Sequence, residues 1–255
     1  MRRAYVLAAP LAVSFALALG GCGGGSAPRT PIPVVTSTVG TGADKTWVIA
    51  PGRGDPISVV VFLHGLGDQA ETTPAHHRPW LDHLARSGSY VLYPRYELRP
   101  GAALGMKHAV LGTLAALRRV DPNGKLPLVL IGYSRGGGMA VEMAGLSPAL
   151  NLSPKAVLGV FPADMEPMID FSRTPRNLQV LFLVGDMDTV VGDVGARRLS
   201  DRLLSAGFPP ANIRTQVVHS PLGFEATHLS VLSDSNPARR AFWIPADTLI
   251  AAARS

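Results

Sequence analysis

Leu128-Val129-Leu130-Ile131-Gly132-Tyr133-Ser134-Arg135-Gly136-Gly137-Gly138 joins an apolar run, a G-x-S-x-G turn and the start of a helix-period segment. The order strand, turn, helix is the layout of a nucleophile elbow, in which a serine is presented at the tip of a sharp turn. Such a turn brings strand and helix almost into contact, so the residues flanking the serine must be small. Gly132 and Gly136 supply that room. A phosphate-binding glycine loop is the rival reading of a Gly-rich turn. It fails here, because the segment has neither the Walker lysine nor the G-x-G-x-x-G order.

Outward from the elbow, apolar runs bounded by turn residues alternate with helix-period segments. Strands are expected at 45–50, 57–63, 90–93, 128–131, 156–161, 178–184 and 215–218. Helices are expected at 80–86, 102–120, 135–146, 196–206 and 237–253. Continuous apolar strands separated by helices indicate an α/β fold, a mostly parallel sheet covered on both faces. Functional side chains in such a sheet gather at the carboxyl ends of its strands.

With the elbow in place, the chain resembles the α/β-hydrolase superfamily over most of residues 45–255. The run 59–63 ends in His64-Gly65-Leu66-Gly67, similar to the HG motif that follows the third strand in that family. The resemblance implies an oxyanion hole formed by the backbone N–H groups of Leu66 and Arg135. Preorganised donors of this kind stabilise the developing charge by about 3–4 kcal/mol each. His64 reads as a structural hydrogen-bonder beneath that loop rather than as a base.

A serine hydroxyl needs a base, and the base needs an acid to fix its tautomer. The family order is Ser, acid, His. The strand 178–184 runs into Gly185-Asp186-Met187-Asp188, which looks like the family's G-x-x-D turn and places Asp188 as the acid. Asp186 and Asp164 are its competitors. Chain order leaves His219 and His228 as bases; the loop before the closing helix is where the family's histidine sits, which favours His228. His76, His77, His83 and His108 precede the elbow and read as surface or helix-face residues. A neighbouring pair such as His76-His77 is no metal site by itself.

Only 16 residues, 162–177, separate the strand at 156–161 from that at 178–184, too few for the helical cap that many lipases of the superfamily insert there. The chain therefore resembles the lidless, dienelactone-hydrolase-like and carboxylesterase-like branch, without a large cap domain. Met165 and Met168 are placed to reach the pocket rim, and Trp80 and Tyr96 to line either an acyl pocket or the core. The triad needs no cofactor or metal. The substrate expected is a small-molecule or lipid-like ester.

The N-terminus reads Met1-Arg2-Arg3 followed by an apolar stretch to Leu19, the layout of a secretory signal. It ends in Leu19-Gly20-Gly21-Cys22, which resembles a bacterial lipobox, with Gly20 where the consensus has Ala or Ser. The resemblance implies lipid on the Cys22 sulfur, cleavage before Cys22 and acylation of the new amino group. The organisation expected is a signal peptide over 1–21, a lipidated Cys and flexible tether over 22–40, and a hydrolase domain over 41–255. Two or three acyl chains hold a protein at a membrane where one holds only marginally. The location expected is the extracytoplasmic side of a bacterial envelope membrane.

Composition closes off other classes. Hydrophobic residues make up 47% of the 255, too many for a disordered chain. The single Cys rules out a disulfide framework or a Cys-based zinc finger. The net charge of +6 is spread along the chain, with Arg2 and Arg3 in the leader, and gives no nucleic-acid-binding patch. Acyl transfer on the same triad, and a non-catalytic scaffold, are the two rival functions.

Overall fold

The runs 58–63 and 128–133 are buried at every position, as a continuous apolar strand between two helical layers must be. In the computed structural model, which describes residues 32–67, 69–96, 102–164 and 169–255, they are central neighbours in an eight-stranded sheet. The strands are β1 (Val34–Val39), β2 (Thr46–Pro51), β3 (Ser58–Leu63), β4 (Ser89–Pro94), β5 (Leu128–Tyr133), β6 (Pro154–Val160), β7 (Gln179–Gly185) and β8 (Ile213–Val218). Their spatial order is β1-β2-β4-β3-β5-β6-β7-β8. β1 and β2 run antiparallel to their neighbours, and all pairings from β4 to β8 are parallel.

Alternate side chains of each central strand feed two cores. Val60 and Phe62 join Trp80, Leu81 and Leu84 of α1 (Arg78–Arg86) on one face. Phe242 and Ile250 of the C-terminal helix close that core. Val59, Val61 and Leu63 point the other way, towards α2 (Ala102–Val120), α3 (Arg135–Leu146) and α4 (Val194–Ser205). Met139, Met143, Leu199 and Leu203 fill that side. Between β6 and β7 lie only residues 161–178, too few for a large cap domain, and among those described a 3-10 turn stands at Phe171–Arg173.

Three expectations change. Val34–Val39, read as part of a tether over 22–40, is a strand paired from Val34↔Pro51 to Val39↔Thr46. Its polar centre, Thr36-Ser37-Thr38, suits a half-exposed edge and hides the apolar signal. The helix expected at 237–253 is α5 (Asn236–Ala238), a π turn (Arg239–Trp243) and α6 (Ile244–Ala252). Pro245 has no N–H to give to a regular helix, and the wider turn precedes it. His77 is buried against Phe62 and Tyr133 rather than lying at the surface. Cys22, Met165 and Met168 lie outside the described residues. Among the described residues no helix is long and apolar enough to cross a membrane.

Candidate active site

Ser134 stands between β5 and α3 at φ 55°, ψ −123°. A non-glycine residue held there costs about 1–3 kcal/mol unless its surroundings enforce it. They do so sterically. A Cβ on Gly132 would lie 1.9 Å from the Gly136 carbonyl oxygen, and one on Gly136 2.1 Å from that of Leu63. Hydrogen bonds finish the turn: Ser134 N–H donates to Val160 O, and Ala163 N–H donates to Ser134 O, both at 2.9 Å. The glycines of the motif are thus required by backbone-to-backbone approach.

The elbow aims Ser134 at His228. Ser134 Oγ lies 2.9 Å from His228 Nε2, and His228 Nδ1 lies 2.9 Å from Asp188 Oδ2. An ionised carboxylate only accepts, so Nδ1 carries the proton and Nε2 is left to accept from the serine. Asp188 is fixed in turn, since its Oδ1 accepts from Val190 N–H at 2.8 Å and Val191 N–H at 3.2 Å. The Asp188 side chain is wholly buried and that of His228 is 10% exposed. One edge of the imidazole is therefore open while its acid partner is dry.

Other contacts that the sequence did not signal hold the histidine. Tyr133, the residue between Gly132 and Ser134, donates its hydroxyl to His228 O at 2.9 Å, with ring centroids 5.1 Å apart. Burial, then the Asp188 charge, pushes the Tyr133 phenol above its ordinary range, so it remains a donor. Phe161, at φ 47°, packs at a tilt against His228 with ring centroids 6.0 Å apart. A second brace joins the acid turn to the histidine loop. Asp186 accepts from Ser220 N–H at 3.0 Å and hydrogen-bonds the Ser220 hydroxyl, whose oxygen accepts from Ala226 N–H at 2.8 Å. These bonds hold the Asp186 carboxyl below its usual range. Gly185 lets the two segments touch, because a Cβ there would lie 2.1 Å from Ala226 O.

The competing residues are placed elsewhere. Asp186 braces the turn as just described, and His219 lies beside it, 3.4 Å away, with its side chain 80% exposed. Asp164 pairs with Arg202 at 2.7 Å and secures the loop after β6. On the opposite side, Gly65 comes so near Ser134 that a Cβ would sit 3.0 Å from the serine Cβ. Leu66 follows it, exposed, and Arg135 is buried at the first position of α3.

Beneath this loop His64 is fully buried, with Nδ1 donating to Gly65 O at 2.9 Å. Burial is the main cause that pushes its pKa down to about 4, and the ring is neutral. Tyr96 stacks flat on His64 at 4.0 Å and donates its hydroxyl to His64 O. Trp80 packs edge-on against Phe62. Both aromatic residues are buried structure rather than acyl-pocket lining.

Strand order, elbow and the three side chains after β5, β7 and β8 together define the α/β-hydrolase fold. No protein-family model and no curated protein matches the chain. Solved structures do. Esterase B from Lactobacillus rhamnosis, captured with a tributyrin phosphonate, aligns at a TM-score of 0.65 and 17% identity over 89% of this chain and 88% of its own. A hyperthermophilic esterase from Pyrobaculum calidifontis aligns at 0.63 and 18%, over 89% and 86%. A dienelactone hydrolase candidate from Klebsiella pneumoniae aligns at 0.62 and 14%, over 86% and 99%.

Proposed function

We propose that the protein is a serine hydrolase of carboxylic esters. One observation carries the reading: His228 lies 2.9 Å from Ser134 on one side and 2.9 Å from Asp188 on the other. Esterases among the structures of like fold support the choice of ester. Ser134 Oγ attacks the ester carbonyl carbon while His228 Nε2 takes its proton. Asp188 stabilises the imidazolium, and the N–H groups of Leu66 and Arg135 receive the oxyanion. His228 returns the proton to the departing alkoxide, and the alcohol leaves. Water, deprotonated by His228, then attacks the acyl-enzyme, releasing the acid and restoring Ser134.

The apolar leader and the lipobox-like 19–22 support a second part of the proposal, a lipid anchor on Cys22 that holds the enzyme at the outer side of a bacterial envelope membrane. The full-length protein tests both parts. It is expected to react with a fluorophosphonate probe and to hydrolyse short aryl esters, with both properties absent in Ser134→Ala. It is expected to incorporate labelled fatty acid, and Cys22→Ala to incorporate none. Probe labelling that persists in Ser134→Ala would overturn the first part, and lipid labelling that persists in Cys22→Ala the second.

A further inference from the structure

Six exposed basic residues, scattered along the sequence, meet at one end of the fold. β3 to β8 run parallel, so their first residues share one pole, and Ser134, Asp188 and His228 follow strand ends at the other. Strands of six or seven residues put about 20 Å between the poles. Arg53 stands in the β2–β3 turn, Arg86 ends α1 just before β4, and Lys125 precedes β5. Lys155 and Arg214 are the second residues of β6 and β8. Ala252, Ala253 and Ser255 line a hollow with Lys155 and Gln179, which puts Arg254 at the same pole. Among the described residues only Arg86 of the six is in an ion pair, with Asp82 at 3.6 Å. Asp55, Asp121, Asp170 and Asp201 lie towards the same end; Arg118, Arg173 and Arg176 add to the cations, so the pole stays positive. The loops 186–193 and 220–228 beside the triad contain no Lys or Arg and expose Asp186, Asp193 and Glu225.

The described chain also enters at the basic pole. β2 runs antiparallel to β4, so it ends at Pro51 beside the start of β4, and Val34 of β1 pairs with Pro51. Pro33 O accepts from Gly52 N–H at 2.7 Å, and Ile32 O accepts from Arg86 Nε at 3.2 Å. Ile32 and Val35 are 40% and 56% exposed, so apolar side chains adjoin the cations. Cys22 precedes Ile32 by ten residues, a length of chain that reaches at most about 35 Å. A lipid on Cys22 therefore tethers the domain by its basic end.

We propose that this pole docks on the anionic phospholipid of the membrane, so that the active site faces away from it and draws its esters from the aqueous side. Each Lys or Arg near such a surface strengthens binding by about fivefold. The inference rests on the lipid-anchor reading, and adds the orientation of the enzyme and the origin of its substrate.

The test uses the protein expressed full-length, lipidated and placed in vesicles, with a fluorophore on a cysteine introduced at one of two exposed positions. Ser153→Cys marks the basic pole, next to β6, and Leu222→Cys marks the histidine loop. Cys22 carries the lipid, so the label falls on the new thiol. In vesicles of phosphatidylcholine and phosphatidylglycerol, energy transfer to a headgroup-borne acceptor is expected to be at least about twofold stronger from Ser153→Cys, given poles about 20 Å apart. In about 1 M salt, where the Debye length is about 3 Å, the two signals should converge. They should also converge when Arg53→Glu, Lys155→Glu and Arg214→Glu are combined, with melting curves to show that the variant is folded. Equal transfer from the two positions at low salt, on protein that has incorporated labelled fatty acid, would overturn the inference and leave the anchor standing. Stronger transfer from Leu222→Cys would overturn it by turning the site to the membrane. A difference unmoved by salt would overturn it as well, because charge would then not be what docks the pole. Protein without lipid on Cys22 would remove the anchor and the inference together.

Discussion

The elbow at 132–138 and the corner formed by 185–188 and 220–228 place parts of one triad by opposite means. The elbow is built from backbone crowding: its four glycines, Gly132, Gly136, Gly137 and Gly138, each stand against the backbone of another segment or turn, and all are buried. The corner is built from hydrogen bonds between exposed loops, Asp186 to Ser220 to Ala226, with a single close approach at Gly185. Crowding tolerates no added atom. A hydrogen-bonded corner loses one bond at a time.

The largest effect expected follows from that contrast. Gly132→Ala forces a Cβ to 1.9 Å from the Gly136 oxygen, and should cost more than about 4 kcal/mol, enough to unfold a marginal domain. Ser220→Ala, which only removes a hydroxyl from the corner, should cost about 1–3 kcal/mol and still fold. Urea melts of both variants measure the difference. Equal losses would mean that the two regions are held by the same kind of force.

Chemistry sharpens the comparison inside the corner. Asp188→Asn retains an acceptor for Val190 and Val191 but offers His228 the wrong partner, and kcat should fall by about 10²–10⁴. Asp186→Asn weakens only the brace and should cost less than about tenfold. The measurement is kcat for both, with melting curves to show that each is folded. A greater loss at Asp186 would reverse their roles.

Acid sets the third effect, on the floor of the oxyanion side. Burial lowers the pKa of His64 to about 4 and that of His77 to about 3, with the neighbouring His64 and His76 contributing at His77. The folded state keeps both rings neutral, whereas the unfolded chain protonates them below about 6.5. The unfolded state thus binds more protons as pH falls. Stability is full above pH 6.5 and is lost progressively towards pH 4, by about 3 kcal/mol from His64 alone. Urea midpoints at pH 7 and 4.5 read this loss, and His77→Phe should lose less over the same interval. An identical loss in the variant would remove His77 from the account.

Much of the site was legible because its signals are local. Gly132, Ser134 and Gly136 lie within one turn, and their spacing is dictated by how closely strand and helix can meet. Choosing among Asp186, Asp188 and Asp164 was harder. All three follow strands at the same edge of the sheet, and a carboxylate's role depends on what faces it. Here those partners are Ser220, His228 and Arg202, from 34 to 40 residues away. Tyr133 gave no signal either, because its hydroxyl meets His228 O only after 95 residues of chain have folded back.

The alternation of strands and helices, the elbow and the short β6–β7 link were readable in the residues alone, because each follows from apolar periodicity, glycine placement or chain length over a few residues. Long-range pairing was needed to make Val34–Val39 an edge strand and His77 core, and it brought Asp188, the acid its turn had suggested, to His228. An edge strand is defined by the partner it pairs with, and burial by the layers that cover a side chain. A hydrogen bond across 40 residues exists only once the sheet has set β7 and β8 side by side.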